Sequence, residues 1–243
     1  MNIQYINYKS NIYPTALREI HSPPKGLYLV GKLPDKPCLA VVGTRLPTEY
    51  GRKTTYKLCY ELARAGFCLV SGLAMGIDAV VHTAALDAKG STLAVLGSGP
   101  EKAYPRSNQA LYERIIRENG GIVSEYSAGT TPFKSHFPAR NRIISGLSLG
   151  VVVTEADASS GSLITANFAL QQNRIVMAVP GNITSFKSAG PNNLIKNGAI
   201  LVSDSHDILA NLGLESTAMV TQKPKADSKQ EAEIIELLSN EGL

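Results

Sequence analysis

The chain of 243 residues contains no tryptophan, only three cysteines and four histidines, and no long apolar run. A membrane-spanning helix needs ~20 consecutive apolar residues, and residues 1–4 do not open a signal peptide, so no membrane association is expected. The cysteines at 38, 59 and 68 are scattered and odd in number, which predicts small apolar core residues in a reducing cytoplasm rather than disulfides. Histidines as dispersed as these argue against a zinc site.

Acidic residues are scarce over residues 126–203, where Glu155 and Asp157 are the only two. The same stretch holds Lys134, Arg140, Arg142, Arg174, Lys187 and Lys196. Of the 24 lysines and arginines and 20 acids in the chain, three cations and eight acids lie from residue 204 onward, leaving 21 cations against 12 acids before it. This uneven distribution of charge is typical of a domain that binds a polyanion, and a solvated basic face is the alternative.

Short apolar strands alternate with amphipathic helices through residues 38–212. Strands are predicted at 39–42, 68–70, 92–96, 121–124, 151–153, 175–179 and 199–202, and helices at 50–65, 77–88, 108–118, 138–146, 162–171 and 192–197. Continuous apolar strands between helices are typical of a parallel sheet covered on both faces. The predicted fold class is therefore α/β, a doubly wound and mostly parallel sheet whose ligands bind at the carboxyl ends of the strands.

The two ends of the chain depart from this pattern. Residues 1–37 contain five prolines and predict an N-terminal arm that packs on the core. Residues 213–228 are polar and predict a linker. Residues 229–243 begin an amphipathic helix, which cannot bury its own apolar face and so either docks on the core or belongs to a truncated domain.

Five of the predicted strands end in glycine or small hydroxyl residues, at 43–45, 71–78, 97–99, 159–162 and 180–182. Glycine lets a ligand approach the backbone closely, and amides at a helix N-terminus bind anions. Turn chemistry explains one such connection, whereas five along one edge favour a phosphate-binding cradle. The candidate residues there are Gly43, Thr44, Arg45, Ser71, Gly72, Gly76, Gly97, Gly161 and Ser162.

The common nucleotide motifs are missing at these turns. The sequence at 43–45 is not a GxGxxG fingerprint, and the sequence at 51–54 lacks the upstream glycine of a P-loop. Hydride transfer on a dinucleotide and triphosphate hydrolysis are therefore not expected, and no cofactor is predicted.

Catalytic candidates are few. Asp78 and His82 lie four residues apart and could form an acid–base pair, but a helix-capping aspartate and an ordinary histidine are the favoured interpretation. Glu155 could be a general acid at a strand end, although an ion pair with Arg140 or Arg142 explains it more simply. No catalytic residue is assigned.

The stretch from 134 to 146 combines cations with an aromatic ring. Pro138 is expected to open its helix, and Arg140 shares the apolar face that packs on the sheet. A buried charge there is costly unless it is paired, so either a carboxylate such as Glu155 or Asp157 or an anionic ligand is expected to pair with it. Phe137 beside Lys134 suits single-stranded nucleic acid, whose bases stack on rings; a hydrophobic staple against the helix is the alternative.

Together these motifs resemble the DNA-processing protein A family (DprA, also called Smf). The resemblance extends over residues 13–209 and rests on 43–45, 71–78, 94–97, 104–105, 137–148, 160–166 and 179–181. It implies an extended Rossmann-like domain in a cytoplasmic homodimer that is not an enzyme. Such proteins bind and protect incoming single-stranded DNA and load RecA onto it in natural transformation and recombination.

The resemblance also implies roles for individual residues. The family's DNA-contacting arginine maps to Arg45, and its lysine and aromatic map to Lys134 and Phe137. Arg140, Asn141 and Arg142 in the following motif complete the predicted DNA-binding set, and Thr44 stands where a serine is usual.

Two expectations remain open on this resemblance. The family's N-terminal sterile-alpha-motif-like module is absent or reduced to the arm, and only the first helix of its winged-helix domain could lie within 229–243.

The alternative function is a nucleotide-processing enzyme of a related Rossmann-like fold that cleaves a base from a ribose phosphate, with Glu155 as a catalytic residue.

Overall fold

The computed structural model describes residues 2–118 and 120–213, which form one nine-stranded sheet flanked by helices. The strands are β1 (Gln4–Asn7), β2 (Gly26–Gly31), β3 (Cys38–Val42), β4 (Cys68–Ser71), β5 (Ser91–Leu96), β6 (Gly121–Ser124), β7 (Gly150–Val153), β8 (Ile175–Ala178) and β9 (Ile200–Leu201). The α-helices are α1 (Thr15–Arg18), α2 (Glu49–Arg64), α3 (Ile77–Asp87), α4 (Gln109–Arg117), α5 (His136–Gly146), α6 (Gly161–Gln171), α7 (Ala189–Lys196) and α8 (Ser205–Asn211). Every element predicted between 38 and 212 is present, and α8 is an addition that the sequence did not predict.

The strand order is β1-β2-β6-β5-β4-β3-β7-β8-β9. From the central β3 the chain builds outward through β4, β5 and β6, then returns to the other side of β3 and continues through β7, β8 and β9, all in parallel. The direction of building therefore reverses between β3 and β7. Such a switch point opens a crevice at the carboxyl ends of the two strands.

Both faces of the sheet are covered, as predicted for a doubly wound fold. Alternate strand residues such as Val42 and Val153 pack with Ile143 and Ile144 of α5 and with α6 on one face. The intervening positions pack against α2, α3 and α8 on the other face. Alternation places consecutive side chains on opposite faces, so a strand covered on both sides needs an unbroken apolar sequence.

The N-terminal residues extend the same sheet. β1 and β2 form an antiparallel hairpin-like pair, and β2 pairs antiparallel with β6. Tyr13 and Leu17 are fully buried in the core cluster that also holds α5. The sequence predicts an arm here without predicting strands. The predicted C-terminal helix, and the predicted linker apart from Gly213, lie outside the described residues.

All three cysteines are free thiols, with Cys59 and Cys68 buried and Cys38 half-buried, as expected of small core residues. In the described ranges, no helix is both long and apolar enough to cross a membrane.

Candidate nucleic-acid interface

A groove of about 690 Å³ lies at the carboxyl ends of β3 and β7, at the switch point of the sheet. One wall is the turn after β3, the opposite wall is the turn that opens α6, and the first residues of α5 close one end. Of the predicted site residues, the groove brings together Gly43, Thr44, Arg45, Lys134, Phe137, Arg140, Asn141, Gly161 and Ser162.

Cations dominate the charge of this groove. Arg45 and Lys134 are exposed side chains and make no ion pair within the described part of the chain. Lys187 also lines the groove, and its Nζ lies 3.7 Å from Asp157, a carboxylate on the same surface. Asp78 is the other groove-lining acid, and it is buried. The exposed surface is therefore suited to an anionic chain.

An aromatic pair stands beside these cations. The rings of Tyr104 and Phe137 stack with centroids 5.4 Å apart, and the guanidinium of Arg45 lies over the Phe137 ring. Tyr104 remains 46% exposed, so the stack has an open outer side. Phe137 is inside the first turn of α5 and packs on Gly97. The staple alternative, which places Phe137 before its own helix, is wrong in that respect.

Arg140 is buried, as its helical face predicts, but its partners differ from the expected ones. Nη1 donates to the carbonyls of Gly72 and Val95, and Nε donates to Oδ1 of Asn141. Burial lowers the pKa of Arg140 to about 10, with the nearby Asp78 carboxylate opposing the shift and Arg45 adding to it. A carboxylate does lie near this charge, as one alternative predicted, but it is Asp78 rather than Glu155 or Asp157. Arg140 joins α5 to the ends of β4 and β5.

Two amides of the turn after β4 are already used inside the protein. Oδ2 of Asp78 accepts hydrogen bonds from the backbone amides of Gly72 and Ala74, at 3.1 and 3.3 Å. Burial raises the pKa of this carboxyl, against the lowering effect of Arg140 and of those amides. An internal carboxylate therefore occupies these two amides, and the predicted residues Ser71, Gly72 and Gly76 do not line the groove. Asp78 instead holds the turn closed.

The turn after β3 is also occupied. The Thr44 amide donates to the carbonyl of Glu155, and the Leu46 amide donates to the Thr44 hydroxyl. By contrast, Gly161 is exposed and has open space around its Cα. The strand end before α6 is thus more open to a ligand than the turns after β3 and β4.

Four predicted residues shape the site from behind rather than lining it. The Ser71 hydroxyl donates to the carbonyl of Val41, and Gly72 gives room to the Arg140 guanidinium. Gly76 has φ +79 and lies against the backbone of Thr44 and Arg45, a conformation and an approach that favour glycine. Gly97 supports the Phe137 ring.

Arg142 lies outside the groove, which corrects its place in the predicted set. Its Nη2 forms a 2.7 Å ion pair with Glu125, and its Nε donates to the carbonyl of Ser22 in the N-terminal segment. The side chain fastens that segment to α5. Its cation is neutralised locally and is not part of the groove surface.

Glu155 is buried and serves the start of α2. Its two carboxylate oxygens accept from the amide and the hydroxyl of Thr48, at 2.9 and 2.5 Å, and it also packs on Gly51. The predicted pairing of Glu155 with Arg140 or Arg142 is therefore wrong. Glu155 is the catalytic residue predicted for the alternative function, a nucleotide-cleaving enzyme. Its side chain is buried and does not line the groove, which argues against that role.

Asp78 and His82 contact different partners, so the acid–base pair is not formed. The helix-capping role expected of Asp78 is wrong, because Gly76 is the N-cap of α3 and the Asp78 carboxylate accepts from the turn before it. His82 is buried, and its Nδ1 lies 2.7 Å from the hydroxyl of Thr92. That hydroxyl donates to the carbonyl of Leu69, so it accepts from His82, and Nε2 is the unprotonated nitrogen. Burial lowers the pKa of His82 to about 3.

Sequence reasoning missed Tyr104 and Lys187 as parts of the surface. Tyr104 follows β5 at a distance, and Lys187 precedes α7, so neither adjoins a glycine turn or the basic stretch before α5. Tyr104 could have been found, because it belongs to the motif at 104–105 that resembles the family. Lys187 carried none beyond its charge.

Comparison with known proteins assigns this architecture. The family model for DNA recombination-mediator protein A matches residues 4–213. The chain belongs to this family. Protein Smf of Synechocystis is 44% identical over 218 residues, covering 87% of this chain and 54% of that protein. DNA processing protein DprA of Bacillus subtilis is 42% identical over 213 residues, covering 86% of this chain and 71% of that protein.

Solved structures of the same family share the fold. DprA from Streptococcus pneumoniae matches with a TM-score of 0.81 and 40% identity, over 86% of this chain and 74% of the other. DNA processing protein A from Helicobacter pylori matches with a TM-score of 0.76 and 33% identity, over 86% of this chain and 95% of the other. The Helicobacter protein is described for a unique single-stranded DNA binding mode.

The chain spans little more than half the length of two of its relatives, with 54% of the Synechocystis protein and 57% of the Escherichia coli Smf protein covered. The match in this family lies in the domain that carries the groove. Membership therefore rests on residues 4–213, which include every residue that lines the groove.

Proposed function

We propose that this protein binds single-stranded DNA in the groove between the turn after β3 and the N-terminus of α6. The observation that carries the proposal is the side-by-side placement of exposed cations and a stacked aromatic pair in one groove. Cations follow a sugar-phosphate chain, and rings accept unpaired bases, which is the combination that single-strand binding proteins use. The family match and the single-stranded DNA binding of the Helicobacter relative support it.

Phosphates contact side chains more than backbone amides in this proposal. The amides of Thr44, Leu46, Gly72 and Ala74 already donate to internal acceptors. Arg45 and Lys134 therefore supply the main attraction, and Lys187, which lies 3.7 Å from Asp157, adds less. Arg140 contributes indirectly, since its guanidinium fixes the end of β4 and adds positive potential below Arg45. Asn141 links α5 to the wall before α6, because its side-chain amide accepts from Arg140 and donates to the carbonyl of Gly161.

Preference for a single strand follows from the aromatic pair. The open side of Tyr104 can stack only on a base that is not already stacked in a duplex. Because every base has a π-face, this contact tolerates any sequence. Binding to duplex DNA retains the phosphate attraction and loses the stacking contribution, which amounts to roughly 1–3 kcal/mol per base.

The wider role is also a proposal. The family is one of recombination mediators, which supports a function in which the bound strand is protected and then passed to RecA during transformation or recombination. We further propose that the protein acts as a homodimer, without enzymatic activity, so that two grooves engage one strand. Both points rest on the family resemblance, and light scattering and a RecA strand-loading assay test them.

Fluorescence anisotropy with a labelled oligothymidylate and a duplex of equal length tests the central proposal. Measured across a salt series, single-strand affinity should exceed duplex affinity by at least about fivefold. The logarithm of affinity should also fall linearly with the logarithm of salt concentration, because bound counterions are released. Equal affinity for both DNA forms, or no salt dependence, would overturn the proposal.

A further inference from the structure

A second cluster of rings lies next to the groove, at the other side of the first turn of α5. His136 stacks on Tyr126 with ring centroids 4.0 Å apart and an interplanar angle of 18°. Phe133 leans on the same imidazole, with centroids 6.0 Å apart. Phe133, His136 and Tyr126 form what we call the outer ring cluster. None of the three lines the groove itself.

The outer ring cluster is continuous with the groove. Gly97 packs under the Phe137 ring, and its carbonyl accepts a hydrogen bond from Nδ1 of His136 at 3.1 Å. Consecutive residues of α5 therefore place one ring in the groove and one in the outer cluster. Lys134, which lines the groove, follows directly after Phe133. A chain that leaves the groove past Lys134 meets Phe133 next.

Phe133 is presented in a fixed position rather than tucked away. Its side chain is 66% exposed, while its carbonyl accepts the His136 amide at 3.0 Å. The loop before it is held by a backbone bond from Gly99 to Thr130. Phe186 is more exposed, at 87%, and also adjoins a lysine, yet no ring contact fixes it among the described residues. Preorganisation sets Phe133 apart.

The charges around the cluster suit an anionic chain. Lys134 is exposed and adjacent to Phe133. The nearest acid in sequence is Glu125, and its carboxylate is already paired with Arg142 at 2.7 Å. Glu101 also reaches this loop, where its Oε1 accepts the amide of Gly129 at 3.1 Å. A phosphate beside Phe133 would therefore meet the Lys134 cation, with Glu125 paired to Arg142 and Glu101 held against Gly129. Exposed aromatic rings next to cations are the combination that binds single strands.

We propose that Phe133 forms a second base-stacking position, at which a single strand leaving the groove over Lys134 stacks one further base. The proposal rests on the single-strand function of the groove and deepens it. It assigns the 133–137 stretch two stacking positions, one on the Tyr104–Phe137 pair and one on Phe133, separated by a phosphate-binding lysine. Occupying both requires a longer strand than occupying the groove alone.

The lack of tryptophan in the chain gives a direct probe. Phe133→Trp introduces a single indole at the proposed position, and stacking of a base on it should quench its emission. Tyr56→Trp is the matched control, since Tyr56 is an exposed ring on α2 that stacks on Tyr60 and does not line the groove. Oligothymidylates of graded length should quench the Phe133→Trp protein only above a threshold length, and leave the Tyr56→Trp protein unchanged.

Affinity measurements with Phe133→Ala complete the test. Above the threshold length the variant should bind about fivefold to 150-fold more weakly than the unmodified protein, with an unchanged salt slope. Below that length both should bind equally well. The exposed position of Phe133 predicts an unchanged unfolding temperature, which circular dichroism checks.

The outcomes separate the two proposals. Suppose that Phe133→Ala binds as tightly as the unmodified protein at every length and that no oligonucleotide quenches the emission of Phe133→Trp. If binding still depends on Lys134, the groove stands and the second position is overturned. Equal quenching of the Phe133→Trp and Tyr56→Trp proteins also overturns it, as quenching would then be non-specific. If the unmodified protein binds no oligonucleotide, both proposals fall.

Discussion

The guanidinium of Arg45 lies over the ring of Phe137, with its Cζ atom 5.9 Å from the ring centroid. The arginine comes from the turn after β3 and the ring from the first turn of α5, so the contact joins one wall of the groove to the end that α5 closes. A cation held against an aromatic face is attracted by the ring quadrupole. The pairing therefore orients a phosphate contact beside a base-stacking surface before any strand arrives.

Lys134→Ala should lower affinity for single-stranded DNA and reduce the salt slope by about one counterion. The reason is that Lys134 is an exposed groove cation without an internal ion pair in the described ranges. Anisotropy titrations across a salt series measure both quantities. Lys196→Ala removes an exposed lysine outside the groove lining and should change the slope far less. An equal effect of the two substitutions would mean that the whole basic face acts without a defined groove.

Tyr104→Ala should weaken single-strand binding by roughly 1–3 kcal/mol, the contribution of one stacked base, with little change in salt slope. Tyr104 is 46% exposed, so its removal should cost the fold little stability. Phe137→Ala should show a similar loss of affinity together with a loss of stability, because that ring packs on Gly97. Titrations and thermal unfolding of both variants check this.

The comparison between the two rings is informative in itself. If Tyr104→Ala leaves affinity unchanged and Phe137→Ala lowers only stability, the pair is a packing feature and not a platform for bases.

Arg140→Met should destabilise the protein by about 3–5 kcal/mol, as expected when one partner of a buried charge pair is removed. The substitution leaves the carbonyls of Gly72 and Val95 and the buried Asp78 carboxylate without their cation. Urea unfolding measures the loss. Arg45→Ala is the control, because that arginine is exposed and should affect binding more than stability.

A double variant sharpens the same prediction. Arg140→Met combined with Asp78→Asn removes both charges and should recover part of the loss in unfolding free energy. Destabilisation that simply adds between the two sites would show that Arg140 and Asp78 are not coupled.

Stability should fall on acidification because of His82. Burial lowers its pKa from 6.5 to about 3 in the folded protein, so below pH 6.5 the unfolded chain binds a proton that the folded chain does not. The resulting loss of unfolding free energy is about 1.4 kcal/mol per pH unit across that window. His82→Gln should flatten the profile by about one proton, as measured by urea unfolding at several pH values.

A His82→Gln protein whose stability still falls as steeply as that of the unmodified chain between pH 6.5 and pH 3 would contradict the assignment.

Much of the fold is predictable because its strands are buried on both faces. A run such as residues 150–153, bounded by a glycine and alternating along the chain with helices, is typical of a covered parallel strand. Arg140 is correctly placed on the buried side of α5 by helical periodicity alone. The hairpin-like pair of β1 and β2 was not predictable in this way, since a proline-rich segment of mixed polarity pairs with the sheet edge only in its tertiary context.

The site was less predictable than the fold, for a physical reason. Sequence shows which residues follow strands, but which carboxylate meets which cation depends on how separate turns converge. Asp78 takes the amides that a phosphate would otherwise bind, and Glu155 is used by Thr48. Arg45, Lys134 and Phe137 were placed together by the family resemblance and by the basic, aromatic character of the α5 approach. Lys187 lies beside them only because the segment between β8 and α7 folds back to the groove, which the sequence does not show.

Ultraviolet cross-linking of the unmodified protein to an oligothymidylate, followed by mass-spectrometric identification of the modified residues, tests the central claim most directly. The account predicts adducts on Tyr104 and Phe137, and on Phe133 with longer strands, whose yield falls when Lys134 is replaced by alanine or when salt is raised. Adducts confined to aromatic residues outside the groove, such as Tyr56 and Tyr60 on α2, would contradict it.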